Sequence, residues 1–121
     1  MLSQECSQIL NMSPIELLEW LNNNYNKSIP ISIESSEELK VAGGLLGELA
    51  NIYSFLMSLI MLAKLRVRES KKINADKNEI NDNIDKRDIL NAYADIIKTQ
   101  YNAISRMITV RKQVEEELKM L

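Results

Sequence analysis

The segment from Leu45 to Leu65, LLGELANIYSFLMSLIMLAKL, is apolar on nearly every side of a helix. A helix that is hydrophobic all round must be enclosed by other helices or by lipid. A chain of 121 residues has little other structure with which to enclose it. The pattern therefore predicts self-association, in which several copies of the chain bury this segment together.

A second long helix is predicted from about Lys86 to about Met120, where apolar residues recur with heptad spacing. Further apolar residues flank the two seams, so the stripe is broader than one partner helix can cover. One seam contains Leu90, Ile97, Ile104, Arg111 and Leu118, and the other contains Tyr93, Gln100, Met107, Val114 and Leu121.

The first long helix is predicted to run from about Ser36 to about Lys72, because Ser35 and Glu38 form a capping-box pattern and no proline follows. Residues 73–88 are rich in Asn and Asp and predict a hinge, with Asp85 or a neighbour capping the next helix. Two long helices joined by a turn are expected to pack antiparallel. Residues 35–121 are therefore interpreted as a long helical hairpin.

Residues 1–34 are interpreted as short helices followed by a connector. Ser13, Pro14 and Glu16 have the pattern of a helix start, with a capping box and proline at the first helical position. The Asn22–Asn24 run is expected to end that helix. A preceding short helix is predicted by the helical spacing of Leu2, Cys6, Ile9 and Leu10.

The alternation of Ile29, Ile31 and Ile33 around Pro30 resembles a strand, but the chain offers no partner strand, so an extended connector is predicted. With three Gly and two Pro in 121 residues, long helices are favoured over a sheet with many turns. The predicted fold class is all-α: one domain with short N-terminal helices and a long antiparallel hairpin, assembling as an oligomeric helical bundle.

Small residues in the first long helix recur every three or four positions and form a strip that another helix can approach closely. Glycine inside a helix costs about 1 kcal/mol relative to alanine, so close packing is the favoured reason for the strip. Alternatively, Gly43 and Gly44 simply mark a kink. The predicted oligomer interface contains Gly43, Gly47, Ala50, Ser54, Met57, Met61, Ile97, Ile104 and Met107.

Glu48 and Arg111 are charged residues that interrupt the otherwise apolar faces of the two long helices. With the hinge centred near residues 79–80, they lie level, which predicts an ion pair that fixes the register of the helices. The alternative interpretation is that both side chains extend separately into solvent.

Composition excludes several classes of function. The net charge of −2 gives no global field to attract nucleic acid and is too small for a DNA mimic. The lone cysteine, Cys6, cannot form an internal disulfide, which favours a cytoplasmic location. Because the chain has no histidine, the common metal sites and nucleophile–base pairs cannot be assembled, and we predict neither an enzyme nor a cofactor.

One local cluster of positive charge brackets the predicted hinge. It could bind phosphate, a nucleotide or single-stranded nucleic acid. The favoured interpretation is a solvated helix end whose charges complement the helix dipole. The cluster contains Arg66, Arg68, Lys71, Lys72, Lys86 and Arg87.

A membrane-inserted form is the less favoured alternative for the apolar segment. Leu49 to Ala63 contains fifteen residues without a charge, short of the ~20 that span a bilayer. The long amphipathic helix that follows favours a bundle in water.

The Asn, Ile and Lys usage, the short length and the closing stretch YNAISRMITVRKQVEEEL resemble small helical proteins encoded by phages of low-GC bacteria. The resemblance covers about the last third of the chain, contains no site motif and implies replication factors or inhibitors of host defence as candidates.

The predicted function is a non-catalytic protein that homo-oligomerises and binds or blocks a protein partner in the host cytoplasm. Binding of a nucleotide or single-stranded nucleic acid is the alternative, and a virion scaffold component is a third class.

Overall fold

The fold of this chain is all-helical. The computed structural model describes the backbone of residues 2–121 and the side chains from Gln4 onward, and within that range it contains no strand. The side chain of Leu2, whose spacing contributed to the prediction of the first helix, lies outside the described side chains. The helices in chain order are α1 (Leu2–Leu10), α2 (Pro14–Tyr25), α3 (Ser36–Lys72) and α4 (Lys77–Met120).

Helix α2 begins as predicted, with a complete capping box. The backbone N–H of Glu16 donates to Ser13 Oγ at 3.2 Å, and the backbone N–H of Ser13 donates to Glu16 Oε1 at 3.0 Å. Leu17 and Leu21 are fully buried. Ile15 on the same helix is 73% exposed, because α2 is covered on one side only.

Helices α1 and α2 pack on the two long helices, α1 against α3 and α2 against α4. Cys6, Ile9 and Leu10 are buried in the core, as their helical spacing predicted. The extended connector that follows α2 buries Ile33 but leaves Ile31 97% exposed, so only part of its isoleucine pattern covers the helices.

The two long helices pack against each other and supply most of the hydrophobic core. Ser35 caps α3 as predicted, accepting a hydrogen bond from the Glu38 N–H at 3.1 Å. The Glu38 carboxylate, however, accepts from the Glu34 N–H at 2.7 Å rather than from Ser35. The fully buried side chains of the two helices include Leu49, Leu56, Leu59, Leu90, Ile97 and Ile104.

The turn between α3 and α4 spans only residues 73–76, so it is shorter than the predicted hinge. Asn74 adopts a left-handed conformation with φ of 53°, which asparagine tolerates better than most residues. The N–H of Ala75 donates to Ser70 O and the N–H of Asn74 donates to Lys71 O, which is the Schellman pattern of a helix end. Helix α4 therefore begins at Lys77, within the predicted hinge, and Ile80 and Ile84 in its first turns are half-buried.

Candidate functional site

The predicted interface residues of α3 form one exposed strip, which we call the outward face of α3. Met61 is 68% exposed, and Leu65 continues the strip toward the end of the helix. A groove of about 330 Å³, walled by Tyr53 and Tyr101, borders the strip at Ala50 and Ser54. The outward face comprises Gly43, Gly47, Ala50, Ser54, Met57, Met61 and Leu65, all exposed and uncharged.

The glycines of α3 have no role in the packing of a single chain. A Cβ atom added at Gly43, Gly44 or Gly47 would meet no atom within 4 Å. None of the three has a positive φ, so the backbone would accept alanine at each position. Each glycine lowers helix stability by about 1 kcal/mol relative to alanine, and no contact within one copy of the fold compensates for this loss.

The three α4 residues assigned to the oligomer interface lie elsewhere. Ile97 and Ile104 are fully buried, and Met107 packs partly buried against the same core. Ile97 and Ile104 occupy a heptad seam by which α4 packs into the core, so they cannot meet a second copy while the fold is intact. Met107 also lines a surface groove. The prediction for Ile97 and Ile104 is corrected: they are core residues.

Glu48 and Arg111 do not form the predicted pair. Glu48 Oε2 lies 3.3 Å from Lys27 Nζ, because the segment after α2 passes beside α3. Arg111 Nε donates to Glu115 Oε1 at 3.3 Å, one turn along its own helix. Partly exposed ion pairs of this kind contribute 0–1 kcal/mol, so they do not fix the helix register.

Gln100 places an amide on the core side of α4. The residue is half-buried, and its Oε1 atom is fully buried without a hydrogen-bond partner among the described residues. An unsatisfied buried acceptor costs about 1–3 kcal/mol. Gln100 is therefore a local weakness in the packing of α4.

Two members of the predicted basic patch hold α1 in place. Arg66 donates to Asn11 Oδ1 at 2.9 Å and to Ser7 O at 3.5 Å, and Lys86 Nζ donates to Leu10 O at 2.8 Å. Carbonyls in the last turn of a helix lack intrahelical donors and carry partial negative charge. Burial, together with the neighbouring Arg66 charge, lowers the pKa of Lys86. Arg66 and Lys86 thus form a latch on the end of α1.

The remaining cations lie on a separate surface. Arg68, Lys71 and Arg87 line a shallow groove of about 540 Å³, which we call the basic groove, together with Lys64. Arg87 is paired with Asp88 at 3.1 Å. The prediction omitted Lys64, although its spacing of four and seven residues from Arg68 and Lys71 places all three on one side of α3. Lys72 is exposed but does not line this groove.

The acidic residues and the single cysteine were compared with the requirements of metal and thiol sites. Among those residues, no group of three or more His, Cys, Asp or Glu side chains could hold a metal ion. Cys6 is a free, buried cysteine, and burial raises the pKa of its thiol.

Helix α3 meets the length and composition requirement for crossing a membrane. Its most apolar 18-residue window has a mean hydropathy of 1.7, and 28% of that window is buried in the fold. Core helices of soluble proteins meet the same requirement, so the window is weak evidence for a membrane span.

Comparison with protein-family models, with curated proteins and with solved structures gives no match.

Proposed function

We propose that this chain is a non-catalytic interaction protein that associates with itself through the outward face of α3 and binds or blocks a protein partner. The observation that carries the proposal is the exposure of this uncharged strip together with glycines that one copy does not require. A contiguous exposed apolar surface is typical of a protein-binding site.

The proposed protomer is an antiparallel helical hairpin. The groove-lining residues support this direction, because Val67 shares a groove with Asp88, whereas Tyr53 shares one with Tyr101. Partners on α4 therefore rise in number as those on α3 fall. The short turn at residues 73–76 is also typical of antiparallel neighbours.

In the proposed assembly, α3 of one copy lies along α3 of another. Glycine, alanine and serine allow two helix backbones to approach closely, and the flexible Met57 and Met61 side chains fill the remaining gaps. A symmetric contact of this kind uses the same strip on both copies.

The biological setting is part of the proposal. The phage-type sequence character supports an inhibitor of host defence that acts in the host cytoplasm. An adaptable, methionine-containing surface suits such a protein, because unbranched thioether side chains repack against different partners.

Two matched charge insertions test the outward face. Ser54→Glu places a charge in the strip, whereas Thr99→Glu adds the same charge at an exposed position of α4. We expect Ser54→Glu to lower the molar mass in multi-angle light scattering and Thr99→Glu to leave it unchanged, with equal helical circular dichroism. If Ser54→Glu keeps the wild-type mass, the outward face is not a subunit contact.

A second candidate function rests on the basic groove, where Lys64, Arg68, Lys71 and Arg87 converge from two helices. Like charges spaced one turn apart repel each other, and bound phosphate groups would relieve that repulsion. We expect a fluorescent single-stranded oligonucleotide to bind with strong salt dependence and Arg68→Ala to weaken it, whereas Lys112→Ala would not. If the intact protein gives no signal at low salt, this candidate is removed.

A further inference from the structure

The C-terminal part of α4 is not covered by the rest of the fold. Ile104 is the last buried residue of α4, and residues 105–121, all of which the structure describes, are half-buried or exposed. This segment, which we call the tail, nevertheless carries an apolar stripe. Val110, Val114, Leu118 and Leu121 follow at spacings of four, four and three, and Leu118 is 60% exposed.

A groove lies at the base of this stripe. It has a volume of about 330 Å³ and is walled by the connector on one side and by α4 on the other. Ile31 and Ile33 belong to the connector wall, and Met107, Val110 and Val114 belong to the helix. We call it the tail groove. Most of its wall is apolar, and Ser32, Arg106 and Arg111 complete it.

The charges of the tail change sign along the helix. Arg106, Arg111 and Lys112 precede Val114, the acidic run Glu115–Glu117 follows it, and Lys119 lies beyond that run. If a second tail lies antiparallel with the two Val114 residues level, the basic residues of each copy come beside Glu116 and Glu117 of the other. A parallel alignment would instead place like charges together, which is unfavourable. The tail is therefore complementary in charge to an inverted copy of itself.

The apolar residues match in the same alignment. Leu118 of one copy comes level with Val110 of the other, and Leu121 comes level with Met107. Val110 and Met107 line the tail groove, so the terminal leucines of each copy meet the recess of its neighbour. Residue spacing and charge order thus select one occupant for the tail groove.

We propose that the tail is an isologous docking surface for a second copy of this chain, with Leu118 and Leu121 of each copy seated in the tail groove of the other. This extends the proposed self-association but uses a surface separate from the outward face of α3. Two different two-fold contacts on one protomer generate assemblies larger than a dimer.

Reciprocal charge reversals test the tail contact, made in the Ser54→Glu background so that contact through the outward face is disabled. Variant one carries Arg111→Glu with Lys112→Glu, and variant two carries Glu116→Lys with Glu117→Lys. Each alone places like charges across the antiparallel contact. We expect the Ser54→Glu parent to remain a dimer and each variant to self-associate at least about tenfold more weakly.

An equal mixture of the two variants is expected to restore the dimer. In the mixed dimer, the reversed residues 111 and 112 of variant one face the reversed residues 116 and 117 of variant two, and the unchanged residues at the other end of the contact also face residues of opposite charge. Asp95→Lys with Lys98→Glu, also on exposed positions of α4, serves as the control and should leave the parent dimer intact. A parent that is monomeric, variants that keep the parent mass, or a mixture that stays monomeric would each overturn the tail contact. The Ser54→Glu and Thr99→Glu comparison tests the outward face independently.

Discussion

At the scale of single residues, Gln100 offers a way to strengthen the fold. Gln100→Leu removes the buried, unpaired Oε1 atom and replaces the amide with an apolar side chain of similar size. We expect the free energy of unfolding to rise by about 1 kcal/mol, measured by urea denaturation at one fixed protein concentration.

Gln113→Leu is the control for Gln100, because it makes the same substitution at an exposed position of α4. The expected change there is within about 0.5 kcal/mol. A clear loss of stability in Gln100→Leu would show that the amide makes a structural hydrogen bond, contrary to the geometry described above.

Whether a contact between two residues could be predicted from the sequence depends on how far apart the two residues lie along the chain. The Ser13–Glu16 capping box was predictable because both partners lie within one turn. The partner of Glu48 was not, because Lys27 is distant in sequence and approaches only through the path of the connector. The contacts of Arg66 with Asn11 and Ser7 were missed for the same reason.

At the scale of helices, the latch of Arg66 and Lys86 determines how firmly α1 stays docked. Arg66→Ala removes the 2.9 Å hydrogen bond to Asn11 Oδ1 and the longer 3.5 Å contact with Ser7 O, and one hydrogen bond to a charged group is worth about 1.5–3 kcal/mol. Cys6 is only 3% exposed, so it reacts with a thiol reagent only when α1 opens. We expect Arg66→Ala to accelerate Cys6 alkylation by roughly tenfold or more.

Arg68→Ala controls for the loss of an arginine, because Arg68 is exposed and lies in the basic groove, away from the latch. Its alkylation rate should equal that of the wild type at the same pH. Equal rates for Arg66→Ala and the wild type would mean that apolar contacts alone hold α1.

The helices themselves were largely predictable from the sequence. Apolar periodicity and the Ser13 and Ser35 caps defined the start of α2 and both ends of α3. The Asn22–Asn24 run was expected to end α2, but the helix continues through it to Tyr25. The start of α4 was set too late, because the Asn- and Asp-rich composition of residues 77–88 outweighed the apolar spacing of Ile80, Ile84 and Leu90. In the fold, residues 77–88 are helical despite that composition.

At the scale of the whole molecule, the packing of the two long helices buries one side of α3 and leaves its uncharged outward face exposed. The sequence pattern indicated excess apolar surface, but it did not separate surface that faces the core from surface that faces outward. Ile97 and Ile104 were therefore placed at an interface although they belong to the core. Only the packed arrangement of α1 to α4 distinguishes the outward face of α3 and the tail as the uncovered parts.

Sedimentation equilibrium of the full chain, from about 1 to 100 µM, decides most directly whether copies associate. We expect a mass of at least twice the 13.9 kDa of one chain. A single species of 13.9 kDa across the whole concentration range would contradict the proposed self-association.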